Sequence, residues 1–475
     1  MAYPRPIRDF LRALGARLSV AAGAALLCSA AYAQGLTVAL YPYVPRLQQF
    51  QDAITKNWNA VQPGVPLTFL PVSDWDGGYT MDPPPNADVF VFDAMYLALF
   101  QSQNNLVPFA PTQIDDLSDF LPYAINGAAS GGDYLAIPMF GCTNILFYQT
   151  SDTALDDAVT VSDVTSALNQ CTYTSLIPPD RRGIMLDMSG GTTNVTLYAD
   201  IEHSITGAYP LPQPPATQLD PNSIAVMKQL LATASFYNAA DNTSDAYQRS
   251  AWYSQGYGRA VVGFSESMSE MSPATLANTS FKIMPLSDNP DTPPLFYADM
   301  IGVNSTTTTR GTTAQARQLA NQIASTSTFV DSVSATPTAT SPQYLLPTRV
   351  STFAALAATY PVYGELQTMT LNASPVLFAL DASARSWVSS VKSTVVSQSR
   401  ANYQCGCDFP AGQPIMDNAA APAICTPVCA QNGGWNGNWT NQPPVTGSVC
   451  QCNTCPIPSV AAKPAGPTLA RPSKP

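Results

Sequence analysis

Histidine and charged residues are scarce in this sequence. It has a single histidine, His203, and charged residues make up only 11% of its 475 residues, less than half of the share usual in globular proteins. A multi-histidine zinc site is therefore excluded, and a Ser-His-Asp triad would depend on His203 alone. We expect His203 to have a structural role. The formal net charge of −11 argues against a nucleic acid as partner, because nucleic-acid-binding surfaces are basic.

Long apolar runs are also missing, so the sequence predicts no membrane span. A short apolar run, 18–27, follows arginines at positions 5, 8, 12 and 17 and precedes Ala31-Tyr32-Ala33. This order is typical of a signal peptide. We predict that residues 1–33 are such a peptide, cleaved near Ala33, and that the protein is secreted or periplasmic. Because residues 1–33 carry a net charge of +3, the remaining chain would have a formal charge of −14.

Cysteine is almost absent from the long middle of the chain. Residues 34–404 contain two, Cys142 and Cys171, whereas seven lie between 405 and 455. Without Cys28 of the signal peptide, nine remain, and an odd number in an oxidising compartment leaves one thiol. Either Cys171 pairs with the C-terminal set and Cys142 is the thiol, or Cys142 pairs with Cys171. In the first case the disulfide-forming residues are Cys171, Cys405, Cys407, Cys425, Cys429, Cys450, Cys452 and Cys455.

Apolar patterns in the remaining sequence indicate an α/β fold. Apolar strands are predicted at 36–41 and 67–72, and between them apolar residues recur at intervals of three and four over 47–61. Strand, helix and strand at such spacing are typical of a parallel α/β unit. We expect the chain to cross from one lobe to another at a short break, 139–143. Further strands are predicted at 88–92, 134–138, 144–149 and 260–265, and a helix at 314–323.

The composition changes near residue 400. Cysteine, proline, glycine and asparagine become dense there, and the helical spacing of apolar residues disappears. Such a segment is typical of a separate module held by disulfide bonds. We therefore divide the chain into a main body at 34–400, a small, disulfide-rich, mainly β domain at 401–456, and a flexible tail rich in proline and lysine at 457–475.

Several short motifs follow one another across about 36–395. They are Val38-Ala-Leu-Tyr-Pro-Tyr-Val-Pro45, Asp82-Pro-Pro-Pro, Asp88-Val-Phe-Val-Phe-Asp93, Cys142-Thr-Asn-Ile-Leu-Phe-Tyr148, Gly190-Gly-Thr-Thr193, Gly258-Arg-Ala-Val-Val-Gly-Phe-Ser-Glu-Ser-Met268, Leu295-Phe-Tyr-Ala-Asp299 and Gln343-Tyr-Leu-Leu-Pro347. Together they resemble the thiaminase I (thiamine pyridinylase) family. The resemblance implies the fold of periplasmic solute-binding proteins, in which two α/β lobes enclose a central ligand cleft.

The resemblance implies a transferase that cleaves thiamine without a cofactor or a metal. Cys142 would add to the pyrimidine ring, the thiazole would leave from the bridging methylene, and an amine or thiol co-substrate would replace it. Glu266 would be the base, with Glu270 as the alternative. Acidic and aromatic side chains suit the thiazolium cation of thiamine. The cleft residues implied are Tyr41, Tyr43, Tyr79, Asp93, Tyr247, Tyr297 and Asp299.

Two positions depart from the family pattern. Phe264 stands where the family often has tyrosine, and Gly77-Gly78 makes the segment before Tyr79 one residue longer. A lone cysteine such as Cys142 can also be a small buried apolar residue. The rival hypothesis is a non-catalytic extracytoplasmic solute-binding protein that captures thiamine or a related small molecule.

The C-terminal module contains a second, shorter match. Its sequence Trp435-Asn-Gly-Asn-Trp-Thr440, followed by Ser448-Val449, resembles the mannan-binding lectin domain of the Microcystis viridis lectin type. The alternatives are a disulfide-stabilised cap with both tryptophans as its core and a zinc site at Cys450, Cys452 and Cys455. The resemblance implies a mannose-rich glycan as partner, held by Trp435, Asn436, Gly437, Asn438, Trp439 and Thr440.

Overall fold

The computed structural model describes most of the chain. The predicted signal peptide at 1–33 and the tail at 457–475 lie outside the described residues, as do Cys171, Cys405 and Cys455. Described are residues 35–168, 172–174, 183–187, 191–234, 246–400, 406–441 and 447–453, with the backbone alone for 172–174 and 406–408.

Strands and helices alternate along the main body. Among the described residues, no helix is long and apolar enough to cross a membrane. The strands are β1 (Leu36–Ala39), β2 (Leu67–Phe69), β3 (Val89–Asp93), β4 (Ala129–Ser130), β5 (Asp133–Tyr134), β6 (Ile137–Cys142), β7 (Ile145–Gln149), β8 (Thr172–Thr174), β9 (Ile184–Met185), β10 (Ala260–Gly263), β11 (Thr279–Ile283), β12 (Leu295–Val303), β13 (Leu346–Pro347), β14 (Val376–Leu377), β15 (Gly406–Pro410), β16 (Trp435–Thr440) and β17 (Val449–Cys452). The α-helices are α1 (Leu47–Val61), α2 (Leu97–Ser102), α3 (Pro122–Gly127), α4 (Thr153–Asp156), α5 (Val161–Leu168), α6 (Thr192–Thr206), α7 (Pro221–Ala232), α8 (Ala246–Ser254), α9 (Pro273–Leu276), α10 (Thr307–Arg310), α11 (Thr313–Ile323), α12 (Thr326–Val333), α13 (Val350–Ala357), α14 (Val362–Ala373), α15 (Ala384–Ser399) and α16 (Ala421–Cys429). Short 3-10 helices are Ala94–Tyr96, Pro111–Gln113, Leu117–Asp119, Ala216–Gln218 and Ser265–Glu270.

The first lobe is built on a mixed sheet with the strand order β13-β6-β12-β3-β1-β2, and β14 adds to β12. β1 pairs in parallel with β2 and with β3, and α1 connects β1 to β2, so the predicted parallel α/β unit is confirmed. Helix α1 turns Phe50, Ile54 and Trp58 inward at intervals of four, and each is at most 1% exposed. This apolar stripe fixes α1 against the sheet.

The second lobe is built on a smaller sheet with the order β11-β7-β10-β9. Helices α6 and α7 pack together, and α15, which follows the last strand of the first lobe, packs against both. The chain therefore returns to the second lobe after it has completed the first. Together the lobes have the two-lobed α/β architecture expected from the sequence.

The lobes are connected at a hinge. The chain crosses to the second lobe at Thr143 and Asn144, and it returns through residues 284–294. The Thr143 hydroxyl donates to the carbonyl of Leu295 at 3.0 Å, and the backbone N–H of Met284 donates to the carbonyl of Asn144 at 2.9 Å. These bonds hold the first two of the three crossings side by side.

The crossing lies later in the sequence than predicted. The break predicted at 139–143 is too long: β6 continues as a strand through Cys142, so only Thr143 of the predicted segment belongs to the crossing. The reason is that β6 pairs with β12 on one side and with β13 on the other. Both partners are far away in the sequence, so the apolar pattern around β6 could not reveal them.

The C-terminal module combines a sheet of order β16-β17-β15 with helix α16, and β8 of the main body extends the sheet in parallel beside β15. The expectation that helical structure ends near residue 400 is wrong for α16. Two disulfides join Cys425 to Cys450 and Cys429 to Cys452, which confirms disulfide bonding in this module. Cysteines four apart share one face of a helix and cysteines two apart share one face of a strand, so this spacing docks α16 on β17.

Candidate active site

A narrow cleft lies between the two lobes, with a free volume of about 40 Å³. The first lobe contributes the ends of β3 and β6 and the start of β12, and the second contributes the start of α6 and the segment after β10. All the cleft residues implied by the sequence except Tyr247 line it. Its lining consists of Tyr41, Tyr43, Val44, Tyr79, Asp93, Phe140, Gly141, Cys142, Thr192, Thr193, Thr196, Phe264, Glu266, Tyr297, Ala298, Asp299 and Leu345.

Two aspartates lie beside each other in the cleft. Asp93 ends β3, and the antiparallel register pairs it with Asp299 of β12. Tyr79 donates a hydrogen bond to Asp93 Oδ2 at 2.8 Å, and the backbone N–H of Met95 donates to Oδ1 at 3.1 Å. The hydroxyls of Tyr79 and Tyr41 are 3.3 Å apart. The result is a cluster of carboxylates and phenols at the strand ends.

The aromatic rings of Tyr41, Tyr43 and Tyr79 form one wall of the cleft. Neighbouring rings meet edge to face, with centroids 5.3 and 5.5 Å apart. Burial raises the pKa of Tyr41 and of Tyr79, and the charges of Asp299 and Asp93 raise the pKa of Tyr41 further. These phenols therefore stay neutral and can donate hydrogen bonds. Aromatic faces beside carboxylates provide a suitable environment for a flat cation.

Cys142 stands at the end of β6 and carries a thiol. A Cys142–Cys171 bridge, one of the two alternatives from the sequence, is therefore wrong. The side chain is partly exposed in the cleft, and the strand register brings Cys142 opposite Tyr297 of β12. A Cβ on Gly141 would collide with the hydroxyl of Tyr123. Glycine at this position therefore lets β6 deliver the thiol to the cleft without displacing that ring.

Glu266 enters the cleft from the opposite lobe. It lies in the first turn of the 3-10 helix that follows β10 and is 7% exposed. Tyr247 donates to its Oε1 at 2.9 Å, and Ser265 donates to its Oε2 at 3.3 Å. Two donors thus fix the orientation of this carboxylate. Glu270, at the end of the same 3-10 helix, lies outside the cleft lining.

Tyr247 contacts the site through Glu266 and also lies near Tyr41. The sequence places it among the lining residues; it is absent from the cleft lining, but its hydroxyl donates to the carboxylate of Glu266, and it lies close enough to Tyr41 to raise the pKa of that phenol. Its helix, α8, packs against the 3-10 helix that carries Glu266. The packing of α8 thus decides that the hydroxyl of Tyr247 contacts the carboxylate of Glu266.

Sequence reasoning missed the threonines at the start of α6. Thr192, Thr193 and Thr196 line the cleft from the second lobe. The motif Gly190-Gly-Thr-Thr193 was the available signal, but it assigns no role to its members. Thr196 follows Thr192 by four residues and therefore shares its face of the helix. Leu345 is a further addition, and it lies in the Gln343-Tyr-Leu-Leu-Pro347 motif.

The loop before Tyr79 is shaped by its two glycines. Gly77 has a φ of +79°, and a Cβ there would lie 2.6 Å from the ring of Tyr41. Gly78 has a φ of +101°, and its Cβ would lie 2.8 Å from the ring of Phe100. Both positions thus need glycine for conformation and for space. The longer loop still brings Tyr79 to Asp93.

His203 lies outside the cleft and has structural contacts. The ring nitrogens of His203 lie 2.9 Å and 3.0 Å from the carbonyl oxygens of Ala208 and Pro293, which agrees with the structural role expected for it.

Cys450 and Cys452 are both in disulfides. The zinc site considered for the C-terminal module is therefore wrong, because these two sulfurs cannot also be thiolate ligands.

Comparison with known proteins identifies the family. A model of the Thiaminase-1 domain matches residues 143–287. Thiaminase-1 of Paenibacillus thiaminolyticus is 35% identical over 363 residues, which cover 75% of this chain and 86% of that protein. This chain belongs to the thiaminase I family. The resemblance inferred from the ordered motifs of the main body is thereby confirmed.

Solved structures of the thiaminase I family have the same fold. Clostridium botulinum thiaminase I in complex with thiamin matches with a TM-score of 0.71 at 34% identity and covers 77% of this chain and 100% of that chain. Thiaminase I from Bacillus thiaminolyticus matches with a TM-score of 0.70, also at 34% identity, over 77% of this chain and 99% of that chain. The maltose-bound MalE3 of T. maritima matches over 78% of this chain and 99% of that chain, with a TM-score of 0.55 at 12% identity. The last likeness supports a solute-binding-protein fold.

Proposed function

We propose that this protein is a thiamine-degrading transferase that displaces the thiazole of thiamine by base exchange with an amine or a thiol. One observation carries the proposal: the thiol of Cys142 and the carboxylate of Glu266 enter one cleft from opposite lobes. Membership of the thiaminase I family supports this activity, and the thiamin complex of the Clostridium botulinum enzyme supports thiamine as the substrate. No cofactor takes part in this scheme.

The charges and aromatic walls of the cleft suit thiamine. Its thiazolium is a flat cation, and Asp93 and Asp299 lie side by side within a cleft walled by tyrosines. Like charges at neighbouring positions repel each other, so a cation between them lowers the energy of both. Tyr41 can donate a hydrogen bond to a ring nitrogen, since its hydroxyl remains protonated, whereas the single proton of the Tyr79 hydroxyl is donated to Asp93. Phe264 adds an apolar surface where the family often has a hydroxyl.

In the proposed reaction Glu266 first takes the proton of the Cys142 thiol. The thiolate sulfur forms a bond to a carbon of the pyrimidine ring. The bond between the bridging methylene and the thiazolium nitrogen then breaks, and its electron pair leaves with the thiazole, which departs neutral. The co-substrate bonds to the methylene and loses a proton. The sulfur–carbon bond to Cys142 finally breaks, and Glu266 returns the proton to the thiolate.

A solute-binding protein is the rival function. The maltose-bound structure with the same fold illustrates that such a cleft can serve for binding alone. A binding protein, however, needs neither a thiol nor a carboxylate whose orientation is fixed by two donors. Cys142 and Glu266 therefore favour chemistry over capture. The two functions differ in outcome, since only the enzyme releases thiazole.

The test incubates the purified full chain with thiamine and aniline and measures free thiazole. We expect the wild type to release thiazole, Cys142→Ser to release none above background, and Glu266→Gln to be about 100-fold slower, the usual scale of general-base catalysis. Glu270→Gln is the matched control, because it removes a glutamate of the same 3-10 helix outside the cleft, and it should keep the wild-type rate. An unchanged rate in Cys142→Ser would refute the mechanism. Tight binding of thiamine without thiazole release would favour the rival.

We also propose that the C-terminal module binds a mannose-type glycan. Asn436 and Asn438 are exposed on β16, and their amide groups donate to Oε1 of Gln451 at 2.6 and 3.0 Å. Amides grouped in this way can bond to the hydroxyls of a sugar. Trp435 and Trp439 pack partly against the disulfide cluster, so they also serve the core of the module, as the cap hypothesis expects. Gln451 is an addition to the residues taken from the sequence.

A glycan array tests this binding. We expect the full chain to bind oligomannose, and Asn438→Ala to reduce binding at least tenfold while the melting temperature stays constant, because this side chain is exposed. Gln413→Ala is the control, because Gln413 is exposed in the same module outside β16, and it should keep the wild-type binding. Absence of binding by the wild type would favour the structural cap.

Export is proposed from the sequence alone, since residues 1–34 lie outside the described part of the chain. The basic, apolar and small-residue segments at 1–33 support a signal peptide. The test is the N-terminal sequence of the exported protein. It should begin at Gln34, whereas an exported protein that retains residues 1–33 would overturn the proposal.

A further inference from the structure

One face of α6 links the cleft to a second cavity at the hinge. Thr192 and Thr196 line the cleft, and Asp200 and Ser204 line the hinge cavity, which has a volume of about 430 Å³. These four residues recur at intervals of four, so they form one polar stripe along the helix. The cavity is also lined by Thr143 and Asn144 of the first crossing and by residues of the return crossing. It therefore lies directly beside the strand that delivers Cys142.

Asp200 is a buried carboxyl group at the middle of this stripe. It is 4% exposed, and the side-chain amide of Asn144 donates to its Oδ2 at 2.8 Å. Burial raises the pKa of Asp200 to about 7, and the hydrogen bond from Asn144 opposes this increase. Such a carboxyl group can bind and release a proton near neutral pH. Most buried carboxyl groups that serve only structure are instead paired with a cation.

Tyr297 connects Asp200 to the reacting side of the cleft. Its ring stacks on Phe378 with centroids 4.6 Å apart, and its backbone pairs with Cys142. Its buried hydroxyl lies next to the carboxyl group of Asp200 and the hydroxyl of Thr196, and hydrogen bonding from Tyr297 lowers the pKa of Asp200. Burial raises the pKa of Tyr297, and the charges of Asp200 and Cys142 raise it further. The hydroxyl therefore lies close enough to both groups to interact with each.

The other ionisable groups near Asp200 are directed elsewhere. On its own helix, Glu202 interacts with Tyr198 and Asp220, and His203 contacts carbonyl oxygens at the end of α6. Asp291 of the return crossing lines the hinge cavity. Asp200 thus lies between Tyr297, on the side of the cleft, and the hinge cavity, on its other side.

Base exchange must dispose of one proton in each turnover. The substrates carry one positive charge together, because thiamine is a cation and aniline is neutral. Both products, the thiazole and the new pyrimidine compound, are neutral. The nitrogen of aniline must therefore lose one proton. Glu266 returns to its starting state within the cycle and cannot absorb this proton. The cleft has a free volume of about 40 Å³, room for only a few water molecules. A route through the protein is therefore useful.

We propose that Asp200 accepts the proton released by the co-substrate, through the hydroxyls of Tyr297 and Thr196, and passes it to the hinge cavity. Asp200 does not contact the reacting atoms in this scheme. It acts through Tyr297 and Thr196, whose hydroxyls pass the proton to it. The inference rests on the proposed base exchange. No proton accumulates on Asp200, because the O–H bond formed there breaks again when the proton passes to water in the hinge cavity.

The test compares the pH dependence of kcat for the wild type, Asp200→Asn and Glu202→Gln, with thiamine and aniline between pH 5.5 and 9. Aniline does not titrate in this range. Because Asp200 must be ionised to accept a proton, we expect the wild-type kcat to rise as the pH increases through about 7. Asp200→Asn should lose this rise and about tenfold or more of kcat at pH 8, with KM for thiamine within twofold. Asp200→Glu should recover part of the rate.

Glu202→Gln is the matched control, because it removes another buried carboxyl group of the same helix, one that interacts with Tyr198 and Asp220 instead of the cleft. It should keep both the rate and the pH profile. A wild-type profile in Asp200→Asn would overturn the inference, and so would an equal loss in Glu202→Gln, which would indicate only damage to α6. Wild-type protein that releases no thiazole would instead refute the proposed function. If Asp200→Asn fails to fold, Thr196→Val provides the same comparison one turn closer to the cleft.

Discussion

At the scale of single residues, the cleft depends on glycines as much as on the groups that react. Gly141 allows β6 to pass Tyr123 and deliver Cys142, and Gly77 allows the loop of Tyr79 to lie against Tyr41. Neither glycine carries chemistry. Both remove a Cβ that would displace an aromatic ring beside a functional group. The site is therefore specified partly by the absence of side chains.

We predict that Gly77→Ala impairs substrate binding and stability together. Its φ of +79° is strained for alanine, and the new Cβ would lie 2.6 Å from the ring of Tyr41. Strain and overpacking together should lower the free energy of unfolding by about 2–4 kcal/mol. The shift of Tyr41 should raise KM for thiamine several-fold. Thermal unfolding and steady-state kinetics measure the two effects.

The variant Gly131→Ala distinguishes the effect of backbone strain from the effect of displacing the Tyr41 ring. Gly131 also has a positive φ, +62°, but nothing lies within 4 Å of a Cβ there. This variant should lose about 1 kcal/mol of stability from backbone strain and keep the wild-type KM. If both variants raised KM equally, the proposed displacement of Tyr41 would be wrong.

At the scale of elements, disulfides join a helix to a strand in the C-terminal module. Each bridge closes a long loop, with sequence separations of 25 and 23 residues. Apart from Ile415, the buried residues of the small core around these sulfurs are cysteines and alanines, which is typical of a module that depends on its disulfides. The catalytic cleft, in contrast, is formed by strands of the two main lobes. Stability of the module and activity of the cleft should therefore be separable.

We predict that removing one bridge, by Cys425→Ser with Cys450→Ser, destabilises the module but not the cleft. Loss of a loop closure of this size should reduce the stability of the module by about 3 kcal/mol. Limited proteolysis should then cleave within the module, while thiazole release stays within twofold of the wild type. Met416→Ser, at an exposed side chain of the same module, is the control. A parallel loss of activity in the double variant would contradict the separation.

At the scale of the whole molecule, the acidic charge matches a cationic substrate. The formal net charge is −11 for the full sequence, and Asp93 and Asp299 concentrate negative charge in a narrow cleft. Clefts of one sign attract ligands of the opposite sign, and salt screens this attraction. The cleft lies between lobes joined by a hinge, so the substrate meets the charges of both.

We predict that kcat/KM for thiamine falls several-fold between about 10 mM and 500 mM salt, because the Debye length decreases from about 30 Å to a few ångströms. The value of kcat should change little, since the thiazolium is already bound when chemistry begins. Steady-state kinetics in NaCl and in KCl provide the measurement, and the two salts should agree. A kcat/KM that is independent of salt would show that overall charge contributes nothing to capture.

Local patterns in the sequence predicted much of this protein. The spacing of Phe50, Ile54 and Trp58 determined α1, because a helix buries every third or fourth residue whatever it packs against. The odd number of cysteines predicted that one cysteine stays outside the disulfides, with Cys142 among the candidates. The resemblance carried by the ordered motifs named both Cys142 and Glu266, along with six other residues of the cleft lining, because these motifs lie in continuous stretches of sequence.

Only the tertiary structure decided how these parts meet. It continued β6 through Cys142, bonded the Tyr247 hydroxyl to Glu266, formed α16 from a segment with no helical pattern, and aligned Thr196, Asp200 and Tyr297 between two cavities. Each of these results depends on contacts between residues far apart in the chain. A sequence pattern records the period of its own helix or strand, whereas such contacts depend on the packing of several elements at once.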